Sequence, residues 1–189
     1  MGYGRVQLDG KYGFVDATGA VTIEPIYDET DDFQDSQADL IAPNFGLTGD
    51  DEDILAIVLV GTHYGAIDKT GKFVIEPIYT NDFGFDCGYA RVYIDDKCGY
   101  IDATGAVVIP IEFDFAYQQG DFFVARRDDT AYAFDETGQV IFSITGDDLD
   151  IDDVSSDVIE VYDAERHEHD FLFPNGRRIR GCRRNRLVV

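Results

Sequence analysis

His167-Glu168-His169 is the stretch whose residue types and spacing come closest to a metal-binding pair. On a β-strand, residues two apart point to one face, so both imidazoles would share a side, with Glu165 or Asp170 nearby. No third spaced His or Cys completes a tetrahedral set. The expected reading is a solvated strand face, with His167 and His169 left as weak metal candidates. Asp147-Asp148-Leu149-Asp150-Ile151-Asp152-Asp153 looks like a calcium loop. Counted from Asp148, the EF-hand pattern needs Gly where Asp153 stands and Glu where Ile159 stands, and both fail. His63 has no Ser or Cys beside it in the expected strand pairing. Cys98 sits where a packing residue is expected and is read as packing rather than as a nucleophile. With 38 Asp and Glu in the chain, carboxylate pairs carry no information about glycoside hydrolysis. No glycine-rich phosphate loop occurs. The expectation is no catalytic residue, no cofactor and no enzyme.

The elements that would position such residues repeat. Lys11-Tyr12-Gly13-Phe14-Val15-Asp16-Ala17-Thr18-Gly19 returns as His63-Tyr64-Gly65-Ala66-Ile67-Asp68-Lys69-Thr70-Gly71 and again as Lys97-Cys98-Gly99-Tyr100-Ile101-Asp102-Ala103-Thr104-Gly105. Each copy has three local signals. An alternating run ends in a two-residue turn, as at Arg5-Val6-Gln7-Leu8 followed by Asp9-Gly10, a strong hairpin signature. The Tyr-Gly-x-x-Asp strand follows. Asp-x-Thr-Gly then turns the chain, with Gly19, Gly71, Gly105 and Gly138 free to take positive φ. A third strand starts at Val21, Phe73, Val107 and Val140, and Pro25, Pro77 and Pro110 end it in the first three copies.

The register follows from the turns. Asp9-Gly10 sets Leu8 opposite Lys11, Val6 opposite Gly13 and Gly4 opposite Val15. A three-residue turn at 17–19 sets Val15 opposite Val21 and Gly13 opposite Ile23. Alternation then puts Val6, Leu8, Gly13, Val15, Val21 and Ile23 on one aliphatic face. The same rule gives Val58, Val60, Gly65, Ile67, Phe73 and Ile75 in the second copy and Val92, Ile94, Gly99, Ile101, Val107 and Ile109 in the third. On the other face, Arg5 faces Phe14 and Arg91 faces Tyr100, which predicts two cation–π contacts of about 0.5–1 kcal/mol each.

The predicted architecture is all-β: a single repeat domain over 1–189 with about five three-stranded antiparallel β-meanders. They form a solenoid-like curved sheet, with a closed ring as the second choice. The units are 2–28, 54–80, 88–114, 121–145 and 157–181, with an acidic insertion at 38–53 and a basic tail at 177–189. Unit four has drifted, with Tyr132 in place of the glycine and Arg127 in place of an aliphatic residue. Unit five is the most degenerate.

Gly10 to Asp28, Gly-Lys-Tyr-Gly-Phe-Val-Asp-Ala-Thr-Gly-Ala-Val-Thr-Ile-Glu-Pro-Ile-Tyr-Asp, resembles the bacterial WG repeat, and the resemblance runs through four units. The signature tryptophan is replaced by Tyr12, Tyr64, Cys98 and Ala131, and the chain has no Trp. The resemblance implies a β-repeat with interaction roles and no common catalytic residues.

Charge indicates the kind of partner. The formal net charge is −23; all 38 acids and nine of the fifteen Lys and Arg lie in residues 1–176, a charge of −29, while the last thirteen residues carry +6. A body this acidic repels nucleic acid and anionic membranes and steers basic proteins toward itself. Three cysteines without metal-type spacing and no apolar leader lead to the expectation of a cytoplasmic protein. Acids crowd two links without any Lys or Arg, 28–53 and 147–157. The predicted partner-binding set is Asp31, Asp32, Phe33, Asp35, Phe45, Asp50, Asp51, Glu52, Asp53, Asp148, Asp150 and Asp152, with the phenylalanines as apolar anchors. The expected function is non-enzymatic binding of a basic protein, most concretely by an immunity or inhibitor protein that occludes a basic toxin such as a nuclease. The alternative is a structural or surface module that binds divalent cations or cell-envelope partners. The basic tail is read as a clamp on the acidic body ahead of a nucleic-acid contact.

Overall fold

A computed structural model describes residues 3–35, 54–173 and 177–182. These residues are all-β: twenty strands in five antiparallel sheets, with no helix and no sheet closed into a barrel. The first sheet runs β1 (Gly4–Leu8), β2 (Lys11–Val15), β3 (Val21–Tyr27). The second contains β4 (Glu29–Thr30), β5 (Gln34–Asp35), β6 (Ile54–Val60), β7 (His63–Ile67) and β8 (Phe73–Tyr79), with β4 and β5 both on the free side of β6. The third runs β9 (Phe85–Asp86) to β12 (Val107–Phe113) through β10 (Tyr89–Ile94) and β11 (Lys97–Asp102). The fourth is β13 (Phe115–Gln119), β14 (Phe122–Arg127), β15 (Thr130–Phe134), β16 (Val140–Thr145). The fifth is β17 (Leu149–Val154), β18 (Ile159–Asp163), β19 (Glu168–Leu172), β20 (Arg178–Cys182).

The expected three-stranded meander is present in every sheet. Four sheets gain a further outer strand, β4, β9, β13 or β17, from chain read as link in the sequence. The link at 147–157 is thus largely strand. Its acids alternate with apolar residues, and Ile151 and Val154 are buried.

The chain divides into two compact units, Met1–Asp96 with Tyr100–Val107, and Lys97–Gly99 with Val108–Val189. The core of the first holds Phe14, Ile23, Tyr27, Ala56, Val58 and Ile67, with Tyr3, Phe33 and Phe73 packed against them. The core of the second includes Val124, Ala131, Ala133, Ile151 and Val154. Burying each larger side chain contributes about 1.5–3 kcal/mol.

The turns behave as their residues dictate. Leu8 pairs with Lys11 around Asp9 and Gly10, both at positive φ (49° and 83°), a two-residue turn whose twist matches the strands. In each Asp-x-Thr-Gly turn one carboxylate oxygen fastens the loop. Asp16 Oδ1 accepts from the Thr18 N–H (2.8 Å), the Thr18 hydroxyl (2.6 Å) and the Ala20 N–H (3.0 Å). Asp68, Asp102 and Asp135 repeat the pattern.

The predicted register holds along β1–β2, from Gly4↔Val15 to Leu8↔Lys11. It fails in β3. Val15 pairs with Val21 as expected, but Ile23 pairs with Phe14 instead of Gly13, and the next pair is Tyr12↔Tyr27. Two bulges cause the shift, and β7–β8 has the same pair of bulges. The single aliphatic face is therefore corrected. Ile23 joins the Phe14 side, and Phe14 is buried to 1 % exposure. Leu8 and Val21, at the strand ends, are 62 % and 52 % exposed. In the second sheet Val58, Ile67 and Ile75 are buried as expected, Val60 is exposed, and Ala66 on the opposite side is buried too. The middle strands are covered on both faces, which erases the alternation that a half-buried strand would show.

The cation–π expectation is corrected at Arg5, which stands opposite Phe14 with its guanidinium over Tyr12 at 5.7 Å. The Arg91 guanidinium lies over Tyr93 at 5.7 Å.

Candidate functional site

The link after β3 is pinned to the next meander. Asp28 N–H donates to Leu59 O, Asp31 N–H to Ile57 O, and the buried Thr30 hydroxyl to Ile57 O at 2.9 Å. The Arg5 guanidinium donates to Thr30 O at 2.6 Å. This fixes Glu29 and Asp31 on either side of Thr30. Asp82, from the loop after β8, meets them across a recess that includes Ile57, Leu59 and the Tyr64 ring. Three carboxylates thus open onto one recess, and among the described residues its lining contains no basic side chain. Burial, followed by the negative charges of Asp31 and Glu29, pushes the Asp82 carboxyl above its ordinary range. Burial and then Glu29, Asp82 and Asp31 push the Tyr64 hydroxyl up as well.

Of the expected partner-binding residues, Asp31 lies in this recess and Asp32 is exposed beside it. Phe33 is half buried, 4.5 Å from the Phe14 ring and 5.2 Å from that of Tyr3, so much of its surface belongs to the core. Asp35 lies in β5, paired with Ile54. Phe45, Asp50, Asp51, Glu52, Asp53 and the insertion at 38–53 fall outside the described residues. Glu29 and Asp82 were not singled out in the sequence. Asp82 sits in Thr80-Asn81-Asp82-Phe83, away from any run of acids, and only packing brings it to Asp31.

In the second unit, Asp148 is an exposed turn residue. Asp150 lies 3.8 Å from the Arg126 guanidinium. Asp152 comes together with Glu160 and His169. The expected His167–His169 pair does not form. His167 sits in the turn before β19 at a φ of 53°, 3.0 Å from the Tyr162 hydroxyl, while only His169 is on the strand. Asp170 is buried by alternation to the opposite side and binds Arg178 at 2.6 Å and the Gly181 N–H at 3.0 Å. The start of the basic tail is thus strand β20 clamped to an acid of its own sheet. Residues 183–189 fall outside the described residues. His63 is exposed, 3.1 Å from the Thr62 hydroxyl.

The family model described as "WG containing repeat" matches residues 12–38, 64–98 and 99–123. These stretches are WG repeats. The signature-tryptophan slot holds half-buried Tyr12 and Tyr64 and fully buried Cys98 and Ala131. No curated protein matches the chain. Among solved structures, similarity extends to a eukaryotic initiation factor at 8 % identity and a TM-score of 0.43, covering 94 % of this chain and 48 % of that one. BBS1N, solved in complex with ARL6DN, is similar at 13 % identity and a TM-score of 0.33, covering 90 % and 57 %. The chain spans about half the length of these structures.

Proposed function

We propose that this WG-repeat module binds a basic protein, and that it does so without catalysis. The observation that carries this reading is the recess shared by Glu29, Asp31 and Asp82. Its carboxylates repel one another, and among the described residues its lining holds no basic side chain. A lysine or arginine of a partner would relieve that repulsion on docking, and the −29 of residues 1–176 would speed the encounter. In its most concrete form the module is a cytoplasmic immunity or inhibitor protein that covers a basic toxin such as a nuclease.

The test is protection. The genes flanking this one are searched for a basic nuclease, and cells expressing it are scored for growth with the parent protein and with the Asp31→Asn/Asp82→Asn double variant. The proposal expects rescue by the parent and reduced rescue by the variant, with purified partners associating several-fold more slowly when the two charges are gone. Absence of binding between the folded parent and the nuclease would overturn it.

A further inference from the structure

We propose that Asp152, Glu160 and His169 form a site for a transition-metal dication of the Zn²⁺ class. The three side chains come from three consecutive strands of the fifth sheet, β17, β18 and β19. His169 stands opposite Tyr162 and Glu160 opposite Phe171, so Glu160 and His169 are diagonal neighbours on one face. Glu160 Oε1 is 2.7 Å from His169 Nδ1, and Asp152 Oδ2 is 3.7 Å from the same nitrogen. One ligand atom from each residue lies within 4.8 Å of the other two.

Regular pairing would not deliver Asp152 to this place. Ile151 pairs with Val161 and Asp153 with Glu160, which makes Asp152 the extra residue of a bulge. A bulge re-aims a side chain. The ladder is irregular on the far side as well, between His169↔Cys182 and Phe171↔Ile179. Both strands flanking β18 therefore depart from ideal pairing beside the same three residues.

A simple ion pair between His169 and Glu160 accounts for less than the geometry shows. His169 Nδ1 is buried and makes no hydrogen bond of proper alignment, although the Glu160 oxygen is only 2.7 Å away. The ring is held by Tyr162, with centroids 4.9 Å apart. The Glu160 and His169 side chains are 8 % and 13 % exposed and that of Asp152 is 35 % exposed, so two ligands lie inside and the third stands at the opening.

The donor set selects the ion. Zn²⁺ binds imidazole nitrogen and carboxylate oxygen at about 2.0–2.2 Å, which spaces ligand atoms about 3–3.5 Å apart. The distances of 2.7 and 3.7 Å bracket that range and need only side-chain adjustment. An imidazole ligand favours Zn²⁺, Co²⁺ or Ni²⁺ over the all-oxygen shells of Mg²⁺ and Ca²⁺. Three protein ligands leave a fourth position for water or for a side chain of a partner.

The experiment titrates Zn²⁺, and separately Co²⁺, into the chelator-treated full chain by calorimetry and visible absorption. The expected result is one saturable equivalent, a Co²⁺ d–d band, and no displacement by equimolar Ca²⁺. Asp152→Asn, at the exposed ligand, should weaken Zn²⁺ at least about tenfold with the fold intact by circular dichroism. His169→Asn should abolish the Co²⁺ band, and Asp31→Asn, in the other unit, should change neither. Unsaturable binding, or equal affinity in Asp152→Asn, His169→Asn and the parent, would overturn the site.

Discussion

The carbonyl oxygen of Ile23 passes so close above Gly13 that a Cβ on the glycine would lie 2.4 Å from it. The same contact recurs at Gly65, 2.6 Å from Ile75 O, and at Gly99, 2.4 Å from Ile109 O. The motif glycine is there because the bulged third strand folds down onto it. In the fourth sheet Tyr132 replaces that glycine, and β15–β16 pairs regularly there, with Tyr132 opposite Ser143.

Replacing Gly65 with alanine should therefore cost about 1–3 kcal/mol or more, because backbone rather than a flexible side chain must give way. Gly4→Ala is the control. Its Cβ would meet only Val15 Cγ2, at 3.4 Å, and stability should stay within about 0.5 kcal/mol of the parent. Urea unfolding of the two variants beside the parent checks both values.

Local chemistry made the hairpins, the Asp-x-Thr-Gly turns and the β1–β2 register legible, since each is decided within a few residues. The bulge over Gly13 was not, because it depends on how Glu24-Pro25-Ile26 meets a strand ten residues away. The fourth strands hid behind composition: Asp150-Ile151-Asp152 alternates as a strand should, but its acids read as solvated link. The recess was half legible, with Asp31 in an acid run and Asp82 reached only through packing. His169 was identified with the wrong companion, because His167 lies in the turn and the bulge at Asp152 cannot be seen in spacing.

Acid should loosen the turns in a defined window. The Thr18 hydroxyl, then the N–H groups of Thr18 and Ala20, hold the Asp16 carboxyl below its ordinary range. A carboxylate with a depressed folded pKa stabilises the fold above its unfolded pKa, and that contribution is lost as pH falls through the folded value. Asp16→Ala should lower Tm at pH 7, and the gap to the parent should close as pH falls below the folded pKa. Thermal melts at stepped pH follow both. A gap that is constant with pH would show that the charge plays no part.

Asp82 should behave in the opposite sense. Its folded pKa is raised, by burial first and then by Asp31 and Glu29, so the folded state releases its proton less readily than the unfolded chain. Its ionisation therefore works against the fold as pH rises through the unfolded and then the folded value. Asp82→Asn should raise Tm at pH 7 relative to the parent, with little difference at pH 3. A residue whose removal stabilises the module while weakening its grip on a basic partner would be retained for binding.

Arg178 should matter more than its position in an arginine-rich tail suggests. Burial alone would raise the pKa of Asp170, but the Arg178 hydrogen bond and the Gly181 N–H outweigh it and hold the carboxyl below its ordinary range. Arg178→Ala removes the closest charge from a buried carboxylate and leaves Arg166 at 3.9 Å with the Gly181 N–H. The expected loss is about 1.5–3 kcal/mol, the worth of a hydrogen bond to a charged group. Arg180→Ala, which changes the tail's charge equally, should cost far less. If the two variants melt together, the tail acts through its net charge and the Asp170 clamp is not what holds β20 to β19. If Arg178→Ala alone melts early, and Asp170→Asn recovers part of the loss in the double variant, the clamp is a specific pair.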